Sequence, residues 1–233
     1  MLPIVYQDAH LIAVDKPAGL LVHRSALDAG ETRFALQRLR DQVGRRVWPV
    51  HRLDRGTSGV LLFALDAASA HALALAFEAG QVRKTYLAVV RGWPPAAGTV
   101  DHPLGRLPDD ARGPRGIREQ PALTQFHTLA RHVLPLPDRG FPDTRCALVE
   151  LQPATGRRHQ LRRHCKHMAH PILGDASYGK GALNRAVASC LGISRLWLHA
   201  LRLELAHPAS GAPLVLAAPP DATWSRWLEA GPR

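Results

Sequence analysis

Aromatic residues are scarce in this 233-residue chain: Phe, Tyr and Trp together make up 6%, too few for a platform on which successive bases of a single strand stack. Cysteine is scarcer still. Cys146, Cys165 and Cys190 are widely spaced and odd in number, which is the pattern of neither a disulfide framework nor a Cys-x-x-Cys metal site, so the thiols are read as reduced and partly buried. No apolar run approaches the roughly 20 residues that span a bilayer, and the chain reaches Asp8 without the apolar core of a signal peptide. A cytoplasmic protein with no membrane partner is expected.

Positive charge is what the chain has in excess. Thirty Lys and Arg stand against 19 Asp and Glu, a net charge of +11, and the pI near 10.7 points to a polyanionic partner, most simply nucleic acid recognised by charge and shape. Hydrophobic residues, at 46%, suffice for one substantial core, and the chain is read as a single mixed α/β domain over 1–233. Because the first strand is entered by Pro3, no separate N-terminal RNA-binding domain is expected. No obligatory protein partner is evident, so a monomer is the simplest state.

Taken in order, Pro3–Tyr6, Leu11–Asp15 and Leu20–Val22 read as short strands separated by turn residues at Gln7-Asp8 and Lys16-Pro17-Ala18-Gly19. Lys16 is read either as solvated or as touching a phosphate. Thr32 to Gly44 has the Thr cap, the Leu36, Leu39 and Val43 face and the Gly exit of a helix. Gly59 to Leu65 is short and branched enough for a buried strand. Asp66 then caps a second helix through Ala79, with Ala70, Leu73 and Phe77 at helical spacing.

Val82–Val90 is a strand with Tyr86 near its start. The Pro- and Gly-rich stretch 94–121 holds a strand around Thr99–Pro103 and a basic excursion from Arg106 to Arg118, expected to gain order on RNA. Ala122–Ala130 and Thr144–Leu151 read as paired strands. Thr155-Gly156 is expected to open a helix with Leu161, Cys165 and Met168 on its apolar face, and with His159, Arg162, Arg163 and Lys166 in an arc of about 100° facing substrate or water. Leu183–Leu191 is a further helix, Trp197–Leu205 and Pro213–Ala217 are strands, and Asp221 caps a closing helix. Its Trp224 and Trp227 read as core anchors.

The stretch from His51 to Leu65 organises the rest. Asp54 lies in a polar, glycine-containing loop feeding the buried strand, and loops fixed to rigid elements are where catalytic side chains usually sit. Taken alone, Asp54-Arg55-Gly56 is more simply a surface turn, paired with Arg52 or Arg55, and Tyr86 a core aromatic with its hydroxyl satisfied. The whole string changes that balance. His51-Arg52-Leu53-Asp54, followed by Thr57-Ser58-Gly59, resembles the catalytic motif of the RluA-type pseudouridine synthases. Lys84-Thr85-Tyr86 and Thr155-Gly156-Arg157-Arg158-His159-Gln160-Leu161-Arg162 match that family's other two landmarks, in order.

The resemblance runs from about Ile4 to Pro219 and includes His170-Pro171-Ile172-Leu173-Gly174-Asp175. Tyr6-Gln7-Asp8, Leu21-Val22-His23-Arg24-Ser25 and Arg162-Arg163-His164 look most like its tRNA-modifying members. It implies the pseudouridine synthase catalytic fold, an α+β arrangement with a largely antiparallel central sheet flanked by helices and loops. The implied reaction breaks the bond from ribose C1' to uracil N1, rotates the freed base and joins C1' to C5. Such a change needs no redox or energy input, so no cofactor is expected. It needs a carboxylate at the reacting carbons, a group to handle the proton, and a pocket poor in water.

By family position Asp54 is the nucleophile; attack at C1', attack at C6 and assistance to glycal formation all stay open. Arg162 would pair with Asp54 and hold it ionised, and Tyr86 would pack against the uracil. A uridine buried in a helix must first leave the stack. Arg52 would fill the vacated space or bind the displaced backbone, and His51 is read mainly as shaping the loop. Both are assigned to RNA binding, together with Lys84, Arg157, Arg158, His159, Arg163 and Lys166. Phosphate contacts of this kind give salt-sensitive affinity without selecting a sequence.

The implied substrate is tRNA, at uridine 65 of the T stem. Ribosomal RNA is the nearest alternative, since the three motifs are shared across the family, and a catalytically silent tRNA binder is another. A metal enzyme is the remaining rival, because His159, His164, His167 and His170 crowd together with Cys165. Their spacing lacks a His-Glu-x-x-His or paired-cysteine signature, so no metal is expected and core or RNA-facing roles are read for them.

Overall fold

Short branched runs broken by turn residues make strands, and strands dominate the computed structural model, which describes residues 1–23, 33–107, 119–138 and 140–229. In chain order, β1 (Ile4–Gln7) and β2 (Leu11–Lys16) precede α1 (Ala35–Val43), β3 (Trp48–Pro49), β4 (Ser58–Ala64), α2 (Ala67–Glu78) and β5 (Arg83–Arg91). Next come β6 (Ala97–Asp101), β7 (Leu104–Gly105), β8 (Glu119–Gln120), β9 (Leu123–Leu134) and β10 (Thr144–Pro153). The chain ends with α3 (Gln160–His167), α4 (Gly181–Leu191), β11 (Leu198–Ala206), β12 (Pro213–Ala217), a 3-10 turn (Ala222–Trp224) and α5 (Ser225–Leu228). The result is a mixed fold with a large, mostly antiparallel sheet and short helices, as the resemblance implied. Arg24, Ser25, Thr32 and residues 108–118 of the basic excursion lie outside the described residues.

Two compact units divide the chain. One comprises Met1–Lys84, Gly105–Gln120 and Ala200–Pro219; the other comprises Thr85–Leu104, Pro121–His199 and Pro220–Arg233. In the first unit β4 is buried along its whole length. Antiparallel β2 runs beside it with Leu11 opposite Ala64 and Lys16 opposite Gly59, and β1 adds to β2. Asp66 caps α2 by accepting from the Ser69 N–H. At the other end of α1, Gly44 takes the left-handed conformation that stops a helix.

In the second unit β10 is central, with β5 on one side and β9 on the other, and β6 pairs with β9. The register sets Tyr86 opposite Leu151 and Arg91 opposite Cys146. Trp197 meets Trp224 and Trp227 edge to face, at centroid distances of 5.3 and 5.4 Å, and all three are buried. The closing tryptophans are therefore core anchors, a geometry in which aromatic pairs add to the gain from burial. Among the described residues no helix is long and apolar enough to cross a membrane.

Candidate active site

In the first unit the loop that carries Asp54 is fastened from both ends. The Asp54 carbonyl accepts from the Thr57 N–H at 3.0 Å, closing a turn over Arg55-Gly56 that runs directly into β4. Across from it, the Gly19 N–H donates to the Arg55 carbonyl at 2.8 Å, and Arg55 Nε donates to the Gly19 carbonyl at 3.1 Å. Lys16 adds the third fastening: its ammonium donates to the carbonyls of Leu20 at 2.8 Å, Pro17 at 3.0 Å and Arg55 at 3.3 Å. Lys16 is wholly buried, so neither of its sequence readings holds; a charge sealed among three carbonyls is a structural tether. On this support the Asp54 side chain is half-buried and Arg52 is exposed.

His51 turns toward the strand that follows it. Its Nε2 accepts from the Leu62 N–H at 2.9 Å, which fixes the neutral tautomer with the proton on Nδ1. The ring stacks on Phe77 at 4.9 Å. Burial, and then the charge of Lys84, hold its pKa down at about 3. The Nε2 of His51 is thus engaged by the β4 backbone. Lys84 is half-buried, and burial pulls its pKa down as well.

The second unit holds Tyr86, half-buried on β5, and Arg162, which the structure places differently from the helical arc. Arg162 is buried. Its Nε donates to Asp175 Oδ2 and its Nη2 to Asp175 Oδ1, both at 2.8 Å. The expected arc thus breaks up. Arg162 points inward to a buried carboxylate, whereas Lys166 is exposed and Arg157, Arg158, His159 and Arg163 are half-buried. Periodicity could not foresee an acid lying beyond the helix end.

Asp175 is itself held, since Oδ1 also accepts from the Ser177 and Tyr178 N–H groups at 2.9 Å. Burial alone would raise its pKa, but the bonds and charge of Arg162 with those two N–H groups outweigh it, and the pKa is lowered. Tyr178 completes the arrangement: its ring lies 5.1 Å from the Arg162 guanidinium carbon, and its hydroxyl meets His159 Nδ1 at 3.0 Å.

Helix α3 starts at Gln160, later than Thr155-Gly156 suggested, because a glutamine side chain organises the turn. Gln160 Oε1 accepts from the Thr155 hydroxyl at 2.7 Å and from the Arg157 N–H at 2.9 Å. Its Nε2 donates to the Leu123 carbonyl and to Thr124 Oγ1, both at 3.0 Å. His159, just before this turn, sits in the left-handed region at φ 56°, an uncommon conformation for a residue other than Gly but one that His, like Asn and Asp, enters more often than most.

The histidines of this region are each engaged by protein groups. His164 meets Thr124 Oγ1 at 2.9 Å and the His102 carbonyl at 3.1 Å, His167 stacks on His102 at 3.8 Å, and His170 Nδ1 donates to the Arg91 carbonyl at 2.8 Å. Among the described residues no group of three or more His, Cys, Asp or Glu is arranged to hold a metal ion. Asp175, Tyr178 and Gln160 were not singled out from the sequence. The available signal was Asp175 itself, an acid ending an apolar string soon after a strongly basic helix.

The description of the family model that matches residues 10–167 is RNA pseudouridylate synthase. The chain is 49% identical over 231 residues to the tRNA pseudouridine synthase C of Pasteurella multocida, covering 96% of this chain and 93% of that protein. It is 48% identical over 231 residues to the tRNA pseudouridine synthase C of Vibrio cholerae, covering 98% and 95%. Among solved structures, human RNA pseudouridylate synthase domain containing 1 matches with a TM-score of 0.73 at 29% identity, over 96% of this chain and 87% of that one. Human RNA pseudouridylate synthase domain containing 4 matches at 0.69 and 30%, over 97% and 92%.

Proposed function

The chain belongs to the RNA pseudouridylate synthase family, and on that premise we propose that it converts uridine to pseudouridine in tRNA, at uridine 65 of the T stem. Asp54 is the nucleophile that opens the C1'–N1 bond. In the balanced reaction C1' joins C5, the C5 hydrogen leaves as a proton and N1 regains one, so the conversion is an isomerisation complete without a cofactor. Tyr86 packs against the extruded uracil, and Arg162 supplies positive charge to the reaction. Arg52, Lys84, Arg157, Arg158, His159, Arg163 and Lys166 bind the RNA, His51 supports the loop, and a monomer in the cytoplasm meets these needs.

What most supports this reading is the mounting of Asp54. A carboxylate on a turn fastened by Lys16, Gly19 and Thr57 is held ready at little entropic cost when substrate arrives, and such fixed placement is where much of a rate enhancement arises. The full-length similarity to tRNA pseudouridine synthase C supports the choice of substrate. The test is pseudouridine mapping of total RNA from cells with and without the gene. Loss of the modification at tRNA uridine 65 is expected. Loss at a ribosomal position instead would move the substrate, and an unchanged map would refute the enzyme reading.

A further inference from the structure

We propose that Asp175 is a positioning residue for Arg162: from a buried, immobile site it fixes the plane of the guanidinium that the proposed reaction employs. The inference rests on the role given to Arg162 above. Two observations establish which partner holds the other. Asp175 is clamped at its backbone as well as its carboxylate, because its carbonyl accepts from the Gly179 N–H at 3.0 Å and from Asn184 Nδ2 at 2.9 Å. Asn184 Oδ1 in turn accepts from the Gly174 N–H at 2.9 Å. Gly174 is fixed too, since at φ 75° an added Cβ would lie 1.8 Å from the Arg195 carbonyl oxygen. Arg162, by contrast, is a long side chain whose orientation is decided at its tip.

The fork geometry gives the pairing its purpose. Bonds from Nε and Nη2 to the two carboxylate oxygens define the guanidinium plane as well as its position, which a lysine's single ammonium cannot reproduce. They use two of the five N–H donors. The Tyr178 ring, 5.1 Å from the guanidinium carbon, restrains the same plane from one face. Buried ion pairs are often no more stabilising than apolar replacements, so orientation is the better account of why an acid is kept here.

The Asp175→Asn variant tests this, because its amide oxygen still accepts from the Ser177 and Tyr178 N–H groups and from Arg162 Nη2, while its NH2, standing where Oδ2 stood, opposes the Arg162 Nε–H and breaks the fork. The assay is tritium release from tRNA carrying C5-labelled uridine. With Asp175→Asn, kcat should fall about 100-fold while KM for tRNA stays within about twofold. The Arg162→Lys, Asp175→Asn double variant should fall within about threefold of Arg162→Lys alone, since a residue acting through another adds little once that other is gone. A single variant retaining kcat within about threefold of wild type, or a double variant losing the product of the two single losses, would overturn the proposal.

A second measurement needs no variant that folds. In the NMR spectrum of the wild-type chain, the Arg162 Nε–H should be resolved and slow to exchange with water, and fast exchange overturns the proposal. If wild-type protein releases no tritium, the proposed function fails instead, and the NMR result alone decides on Asp175.

Discussion

The buried ammonium of Lys16 reaches 3.3 Å to the carbonyl of Arg55, the residue that follows the proposed nucleophile. One side chain thereby joins the end of β2, the 17–20 turn and the Asp54 loop. Replacing it with the similarly long but apolar Met leaves the buried Leu20 carbonyl without this donor, a loss of about 1–3 kcal/mol. Lys16→Met should unfold at lower urea concentration than wild type and turn over tRNA more slowly. Equal stability would show that the tether is idle.

Gly59 approaches the backbone of Ala200 so closely that an added Cβ would stand 2.2 Å from the carbonyl oxygen, at a φ of 107°. Both the clash and the positive φ oppose any other residue. Gly59→Ala is expected to cost more than about 2 kcal/mol, read by thermal denaturation. A melting temperature equal to wild type would be inconsistent with the close approach of Gly59 to the Ala200 backbone.

Two of the three thiols should be silent. Cys146 and Cys165 are buried, and burial pushes both pKa values up to about 12, whereas Cys190 is exposed. Thiolate is the reactive form. Titration of native protein with a thiol reagent should therefore modify one cysteine quickly and all three only after denaturation. Rapid reaction of two in native protein would contradict the burial of β10 or α3.

Stability should fall in two stages as pH is lowered. His51, His132 and His164 all have folded pKa values below the ordinary 6.5, His51 reaching about 3, with burial the leading cause in each. The unfolded chain takes up these protons first, so stability is full above about 6.5 and declines as pH drops toward the folded values. Asp8 and Asp66 add the second stage, because their folded values near 2 lie below the ordinary 3.8. For Asp8, burial acts in the opposite direction but is outweighed by bonds from the Tyr6 hydroxyl, the His10 and Leu11 N–H groups and His207; for Asp66 the Ser69 N–H leads. Their contribution is lost as pH falls from 3.8 through about 2. Melting temperatures measured from pH 7 to 3 should decline throughout, and His51→Gln, which keeps an acceptor for Leu62, should flatten the first stage. A rise in stability between pH 7 and 5 would contradict these assignments.

The sequence disclosed the elements whose causes are local. The branched run ending at Leu65 is β4 because every position suits burial, and Asp66 announced α2 because a cap and the N–H it accepts from lie three residues apart. The Asp54 loop was legible as an uninterrupted string. Partners distant in the chain were not. One of the three carbonyls that hold the buried Lys16 ammonium lies 39 residues away, and Gln160, at the late start of α3, bonds to a carbonyl 37 residues earlier. Arg162 was expected to face substrate or water and to pair with Asp54; its bond to Asp175 was not legible, because that acid stands 13 residues downstream, outside any helical period.

Tritium release by Asp54→Asn tests the central claim most directly. Asparagine nearly matches aspartate in shape, so the loop and its fastening by Lys16 should persist, and the variant should bind tRNA as wild type does. It should release no tritium from C5-labelled uridine in tRNA, while wild-type protein proceeds to a stoichiometric yield. Release by Asp54→Asn at the wild-type rate would show that the chemistry is carried by another residue.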